Sequence, residues 1–324
     1  MKISVFGLGY VGCVTAACFA RKHDVIGVDI VKEKVDAINK GFAQIKEKNL
    51  DNLIKKAVKK KKLSATTNAR KAILNSDISF LCIGTPSKKD GSINLDYLIK
   101  VCKEIGKILR EKKHHIIIIR STIFPGSSKK LAKIIEKASG KKEGKDFDIA
   151  INPEFMREGA AIEDFFAPSF IVIGTKNKKV SKIIKKIYSS VSVKARVFIV
   201  DIGVAEMIKY VNNSFHALKV TFTNEIASVC KQLEIDSKKI MEIFCSDKKL
   251  NLSSYYMKPG FAYGGSCLPK DLLALKKEAW NLKIKTPVLD VIAKSNFEQI
   301  NRAIKLIKQQ SIPAKRGKNG ELKC

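Results

Sequence analysis

Residues Lys2–Asp29 read KISVFGLGYVGCVTAACFARKHDVIGVD. A short β-branched run, Lys2–Phe6, leads into Gly7-Leu8-Gly9-Tyr10-Val11-Gly12, then a helical pattern, then a second strand ending at Asp29. This is G-x-G-x-x-G between strand and helix, with an acidic residue 22 positions after the first glycine. Gly7 permits the tight turn, Gly9 lets the backbone approach a pyrophosphate, and Gly12 allows close helix–strand packing. The N-terminus of the helix that follows, VTAACFARK, offers free N–H groups to phosphate. Asp29 is placed to accept from a ribose diol and would repel a 2′-phosphate. The cofactor expected is therefore NAD, not NADP.

Outward from this unit the alternation continues. Val31–Leu74 reads as lysine-rich helical segments, and Asp77–Ile83 as a continuous apolar strand of the kind buried on both faces of a parallel sheet. Gly84-Thr85-Pro86 follows at its carboxyl end, where doubly wound folds bind ligands. A helix over Leu95–Arg110, the strand HIIIIR and the loop Arg120–Gly126 (RSTIFPG) come next. Then come the helix Ser127–Ala138, the strand FDIAIN and the acidic segment Pro153–Gly159 (PEFMREG). FIVIG and RVFIV complete the sheet. At Asp201 the pattern gives way to a long helix without Gly or Pro after Gly203, apolar at 3–4 spacing, which reads as a core or dimer helix. Lys209 and Asn213 stand one turn apart on it, and His216 and Asn224 are reached from nearly the same side. On spacing alone, Lys209 reads as a solvated lysine. The fold class is α/β: a Rossmann-like doubly wound sheet over 1–200, a helical domain over 201–310, and a polar basic tail over 311–324.

The helical domain carries LNLSSYYMKPGFAYGGSCLPKD, Leu250–Asp271. Gly264 and Gly265 give access or a φ > 0 turn, and Pro269 places Cys267 at a loop-to-helix junction. The helix dipole and Lys270 would both favour a thiolate. By residues alone Cys267 is either a reactive thiol or a small buried apolar side chain, and composition does not choose between them.

The chain has 324 residues, 45% hydrophobic, enough for about two domains. No apolar run reaches the ~18 residues of a membrane span. The N-terminus enters a strand directly, so a cytoplasmic protein is expected. Eight cysteines without a CxxC pair argue against structural zinc, and no metal is expected. The net charge of +31 raises nucleic acid as a partner, but the lysines are dispersed over amphipathic helices and no nucleic-acid-reading motif occurs. No specific nucleic-acid function and no membrane partner are expected.

GFAYGGSCLPKD resembles the nucleophile loop of the UDP-glucose/GDP-mannose dehydrogenase family. RSTIFPG, NPEFMREG and the AExxKYxxNxxHxxKVTFxNE pattern resemble further motifs of that family in the same order. Leu268 and the paired Tyr255-Tyr256 resemble its GDP-mannose branch in particular. The resemblance implies a homodimer through the long helix that oxidises the C6 alcohol of a nucleotide sugar, GDP-mannose favoured, to the carboxylate with two NAD. It makes Cys267 the nucleophile, Lys209 and Asn213 the oxyanion partners, Glu154 the handler of the hydrolytic water, and Asp271 a loop-positioning group. Cofactor contacts fall on Gly7, Gly9, Tyr10, Val11, Gly12, Asp29, Lys34, Thr85, Thr122 and Lys270. Besides Lys209 and Asn213, substrate contacts fall on Glu158, His216, Asn224, Tyr255, Tyr256, Lys258 and Phe261. Lys258 departs from the branch's arginine and cannot form a bidentate fork. Family members continue into a third domain. With only 15 residues after Gln309, the expectation is that this chain alone binds NAD but turns over little. The alternatives are UDP-glucose 6-dehydrogenase, a β-hydroxyacid dehydrogenase, or an NAD-binding dimer without turnover.

Overall fold

The computed structural model describes residues 1–191, 193–232, 234–248, 260–281, 283 and 287–310. Two compact units divide it: Met1–Lys89 with Ile93–Lys209, and Asp90–Ser92 with the chain from Tyr210 onward.

The first unit is an eight-stranded sheet. In chain order it runs β1 (Lys2–Phe6), α1 (Tyr10–Phe19), β2 (Asp24–Val28), α2 (Lys32–Lys40), α3 (Leu50–Lys59), β3 (Leu63–Thr66) and α4 (Ala69–Leu74). It continues with β4 (Ile78–Leu81), α5 (Asp96–Leu109), β5 (His115–Ile119), α6 (Ser127–Ser139), β6 (Phe147–Ile151), α7 (Ala161–Phe166), β7 (Phe170–Gly174), α8 (Lys178–Ser190) and β8 (Arg196–Val200). The strand order is β3-β2-β1-β4-β5-β6-β7-β8. The pairs from β3 to β6 are all parallel. Strand β7 runs against β6, meeting it at Ile151–Gly174, and β8 is parallel to β7.

Alternation along the strands builds a core on each face. Ile3, Val5, Ile116 and Ile118 join one cluster with Phe19, Phe80 and Phe165. Phe6, Ile117 and Ile119 join the other with Leu98, Ile105 and Ile135. This two-sided burial is why the strands lack polar alternation. One sequence reading is corrected: Val31–Leu74 is not helical throughout, because Leu63–Thr66 forms β3, in register with Val25–Val28. Four residues reading LSAT carry too little period-two signal to be seen, and the backbone ladder to β2 supplies the order. The chain order reverses direction in the sheet between β1 and β4, so the carboxyl ends of these two strands open a crevice.

The long helix α9 (Ile202–Gln232) begins in the first unit and continues into the second. There it is joined by α10 (Ser237–Ser246), α11 (Leu268–Asn281) and α12 (Pro287–Gln310). Ala217, Leu272 and Ile292 form a small core for that unit, with Leu218, Tyr263, Leu268, Leu289 and Ala293 packed around it.

Candidate active site

The glycine cradle in the β1–α1 turn has the geometry a dinucleotide needs. Gly7 has φ +88°, and a Cβ there would lie 2.6 Å from the Cys82 carbonyl oxygen. A Cβ on Gly12 would meet the Gly7 carbonyl oxygen at 1.7 Å, whereas one on Gly9 would meet nothing within 4 Å. Packing demands glycine at the two outer positions, and the middle one leaves open floor over the first turn of α1. Asp29, at the end of β2, accepts from Leu8 N at 2.7 Å through Oδ2 and from Val31 N at 3.0 Å through Oδ1. Lys34 Nζ lies 3.7 Å from Oδ2. Each carboxylate oxygen retains a lone pair for a hydroxyl donor, so the loop contacts orient the carboxylate without exhausting it. Thr85 Oγ1 donates to the Thr122 carbonyl at 2.9 Å, which ties the loops after β4 and β5 together.

Tyr10 reaches across from the cradle. Its hydroxyl donates to the Glu47 carboxylate, and Gly159 N donates to Tyr10 Oη and to Glu47 Oε2, each at 2.9 Å. Burial first, then the Glu47 hydrogen bond, pushes the Tyr10 phenol up, so it stays neutral. Glu158, beside Gly159, is exposed.

The most deeply buried ion pair of this unit among the described residues is Lys209–Glu154, at 2.9 Å with side chains only 6% and 9% exposed. Burial alone would raise the Glu154 carboxyl. The Lys209 charge and hydrogen bond, Met156 N–H at 2.7 Å and the nearby Arg120 outweigh it and hold the group below its usual range. The solvated reading of Lys209 is therefore corrected. The first two turns of α9 pack on the sheet's carboxyl edge, and a buried lysine there needs the carboxylate. Arg120 is itself buried, with Nη1 donating to Asn152 Oδ1 at 2.9 Å and to Tyr188 Oη at 2.7 Å.

Glu206 stands in the pattern AExxKY that also holds Lys209, but spacing assigned it no role. Its carboxylate accepts from Gly126 N at 2.8 Å and Ser128 N at 3.0 Å, capping α6 and fixing the end of the Arg120–Gly126 loop. Its place in that pattern, three residues before Lys209, was its only trace in the sequence.

In the second unit Cys267 immediately precedes α11, and Asp271 N donates to its carbonyl at 2.9 Å. The helix begins at Leu268, so Cys267 stands at the loop-to-helix junction that Pro269 implied. Gly265 has φ +79°, and neither Gly264 nor Gly265 has an atom within 4 Å of a built Cβ. Among the described cysteines Cys267 alone is exposed, so the buried-apolar reading is set aside. Burial drives the thiols of Cys13, Cys82 and Cys102 up to about 12, which makes them inert by comparison. Asp271 is wholly buried, takes a hydrogen bond from Asn213 Nδ2, and lies 3.1 Å from Lys270 Nζ. Asn213 is thus tied directly to the cysteine's helix.

Asn224 uses both ends of its amide on the loop backbone. Gly260 N donates to Oδ1 at 2.8 Å, and Nδ2 donates to the Phe261 carbonyl at 2.9 Å. The Phe261 ring is 65% exposed, and His216 is half-buried. Tyr255, Tyr256 and Lys258 lie outside the described residues. Among the described residues no cluster of metal-ligating side chains occurs, and no helix is long and apolar enough to cross a membrane.

A doubly wound sheet with this cradle at its switch point, and an accessible thiol at a helix N-terminus in the helical unit, defines the class as a dinucleotide-dependent dehydrogenase. The chain belongs to the UDP-glucose/GDP-mannose dehydrogenase family, whose NAD binding domain matches residues 1–192 and whose central domain matches residues 203–298. It is an NAD-dependent nucleotide-sugar dehydrogenase by that membership. The GDP-mannose 6-dehydrogenase of Pseudomonas savastanoi pv. phaseolicola is 47% identical over 310 residues, which are 95% of this chain and 70% of that protein. The UDP-glucose 6-dehydrogenase of Haloferax volcanii is 36% identical, over 96% of this chain and 73% of that protein. Among solved structures, a ternary complex of GDP-mannose dehydrogenase from Pseudomonas aeruginosa superposes with TM-score 0.77 at 46% identity, covering 96% of this chain and 72% of that one. A UDP-glucose dehydrogenase from Pyrobaculum islandicum superposes with TM-score 0.90 at 33% identity, covering 95% and 70%.

Proposed function

We propose that this chain oxidises the C6 alcohol of GDP-mannose to the carboxylate, with Cys267 as the covalent nucleophile. The observation that carries the reading is Cys267 itself: an exposed thiol at the start of α11 among otherwise buried described cysteines, with Asp271 bonded to its carbonyl. The choice of GDP-mannose rests on identity, 47% to a GDP-mannose enzyme against 36% to a UDP-glucose enzyme. The TM-scores run the other way, but they compare backbone course, which both substrate classes share.

Bound NAD supplies the hydride acceptor at each of two oxidations. Gly7, Gly9, Gly12 and the N–H groups of Tyr10 and Val11 would hold its pyrophosphate. Asp29, with Lys34 beside it, would take the adenosine ribose, while Thr85, Thr122 and Lys270 would line the rest. The substrate alcohol loses a hydride and a proton to become an aldehyde. Cys267 Sγ adds to that carbon, and the resulting thiohemiacetal oxygen takes a cation and a donor, roles that fit Lys209 and Asn213. Loss of a second hydride and proton leaves a thioester. Water then attacks the carbonyl, and the C–S bond breaks to release the acid and the thiol. Glu154, held ionised, fits the group that takes the water's proton. Glu158, His216, Asn224, Phe261 and the stretch Tyr255–Lys258 are proposed around the nucleotide sugar. Val211, Phe215 and Phe222, exposed along α9, support a homodimer through that helix; sedimentation tests it.

The deciding experiment is NADH formation by the purified chain offered GDP-mannose and UDP-glucose separately. Faster turnover on UDP-glucose, or acid formation surviving Cys267→Ser, would overturn the reading.

A further inference from the structure

The loop that carries Cys267 is held by more than its own sequence. On its N-terminal side, Asn296 from α12 closes a two-bond ring with one backbone unit. Tyr263 N donates to Asn296 Oδ1 at 2.8 Å, and Asn296 Nδ2 donates to the Tyr263 carbonyl at 2.9 Å. One turn further on, Gln299 Nε2 donates to the Gly260 carbonyl at 2.9 Å. From the other helix, Asn224 takes Gly260 N and gives to the Phe261 carbonyl. Five hydrogen bonds from three amide side chains thus satisfy the main chain of Gly260, Phe261 and Tyr263. Asn296 and Asn224 are buried, at 9% and 2% exposure, so these bonds have little water to compete with them.

The side chains of the same segment complete the anchorage. Tyr263 and Leu268 both pack on the Ala217–Leu272–Ile292 core, and burial pushes the Tyr263 phenol up to about 12. Only Gly264, Gly265, Ser266 and Cys267 remain between the two anchors, and all four are exposed. A four-residue tip containing two glycines has broad backbone freedom, and the thiol's position is set by where the anchors stand. On the C-terminal side α11 holds the chain from the Cys267 carbonyl onward, through Asp271 N at 2.9 Å, which leaves Gly264–Ser266 to the N-terminal anchor.

We infer that Asn296 is a positioning residue for the nucleophile. By clamping the Tyr263 peptide to α12, with Gln299 as a second point, it holds the Gly264–Cys267 tip so that Sγ stays at the N-terminus of α11. This rests on the reading of Cys267 as the reactive thiol. An amide suits the clamp because its separate oxygen and nitrogen can accept from the N–H and donate to the C=O of one residue at once. Asn296→Ala leaves the half-buried Tyr263 N–H and C=O without these partners and frees the tip. Displacement of reacting groups by about an ångström can cost up to ~100-fold in rate.

The test is site-mapped alkylation of Cys267 by iodoacetamide at fixed pH in the full 324-residue chain, run on Asn296→Ala and on Gln299→Ala. Circular dichroism selects the folded variants. Gln299 is only half-buried, so its variant serves if Asn296→Ala does not fold. The expected result is alkylation slowed threefold or more by Asn296→Ala, and a smaller slowing in the same direction by Gln299→Ala. NAD affinity, which belongs to the first unit, should stay within twofold. With GDP-mannose and NAD, kcat should fall tenfold or more while KM for NAD holds. Alkylation slowed less than threefold in folded Asn296→Ala overturns the inference, as does an unslowed Gln299→Ala if that is the variant that folds. The clamp and the nucleophile reading separate cleanly. Acid formation by Cys267→Ser would overturn the catalytic role of the thiol, while the alkylation rates would still report whether Asn296 positions it.

Discussion

Removing the Lys209 ammonium should leave the Glu154 carboxylate as a buried charge without its ion-pair partner. At 2.9 Å and side-chain exposures of 6% and 9%, the pair sits where an effective dielectric near 20 gives an attraction of about 6 kcal/mol. Much of that offsets the cost of dehydrating the two ions, so the pair's net contribution is small. Taking away one partner exposes the whole penalty, and Lys209→Ala should destabilise the chain by about 3–5 kcal/mol near pH 7. That is a large fraction of the ~5–15 kcal/mol of a typical domain.

The pH dependence should also change sign. In the unmodified chain Glu154 is held below the usual carboxylate value. Its contribution is therefore present above that value and lost as pH falls through the lower folded one. Without Lys209, the burial that already ranks as the largest influence on Glu154 raises the carboxyl above its unfolded value. Protons are then bound more tightly in the folded state, so stability falls as pH rises from about 4.5. Urea titrations at pH 5 and 7 check this, and Lys209→Ala/Glu154→Gln should recover most of the loss by removing the orphaned charge. A loss below 1 kcal/mol for Lys209→Ala at pH 7, or a double variant no more stable than the single, would refute the argument.

Asp29→Ala should weaken NAD binding by about 1–3 kcal/mol, the range for a lost charged hydrogen bond; equal NAD and NADP affinities in the unmodified chain by calorimetry would count against that role. Gly12→Ala would place a Cβ 1.7 Å from the Gly7 carbonyl oxygen. It should abolish NAD binding or the fold, whereas Gly9→Ala, with open space around it, should fold normally and lose only cofactor affinity. Differential alkylation should label Cys267 ahead of Cys82 and Cys245, which are both buried; faster labelling of either would contradict Cys267 as the accessible thiol among the described cysteines. Glu206→Ala should lower the melting temperature, through loss of the cap on Gly126 N and Ser128 N, by more than Glu206→Gln, which keeps an acceptor.

Local rules carried much of this protein. The cradle from Gly7 to Gly12, the acid at Asp29 and the continuous apolar strands are short-range patterns. Each follows from what a turn, a phosphate or a two-sided sheet requires of the residues beside it, so they were legible in the chain. The cysteine's place at a helix start was legible for the same reason, since glycines and Pro269 constrain the backbone within a few residues. What pairs across the fold was not. Strand β3 exists because β2 offers it a ladder, not because LSAT prefers to be extended. The reversed direction of β7 and β8 depends on how the chain returns after α7. Lys209 looked like any lysine on an amphipathic helix until the sheet edge buried it against Glu154, 55 positions earlier in the chain. Glu206 stands in a motif that says nothing of its role, and Asn296 stands in none. A carboxylate or an amide shows its purpose only when tertiary packing brings it to the one backbone donor or acceptor that would otherwise be left without a partner.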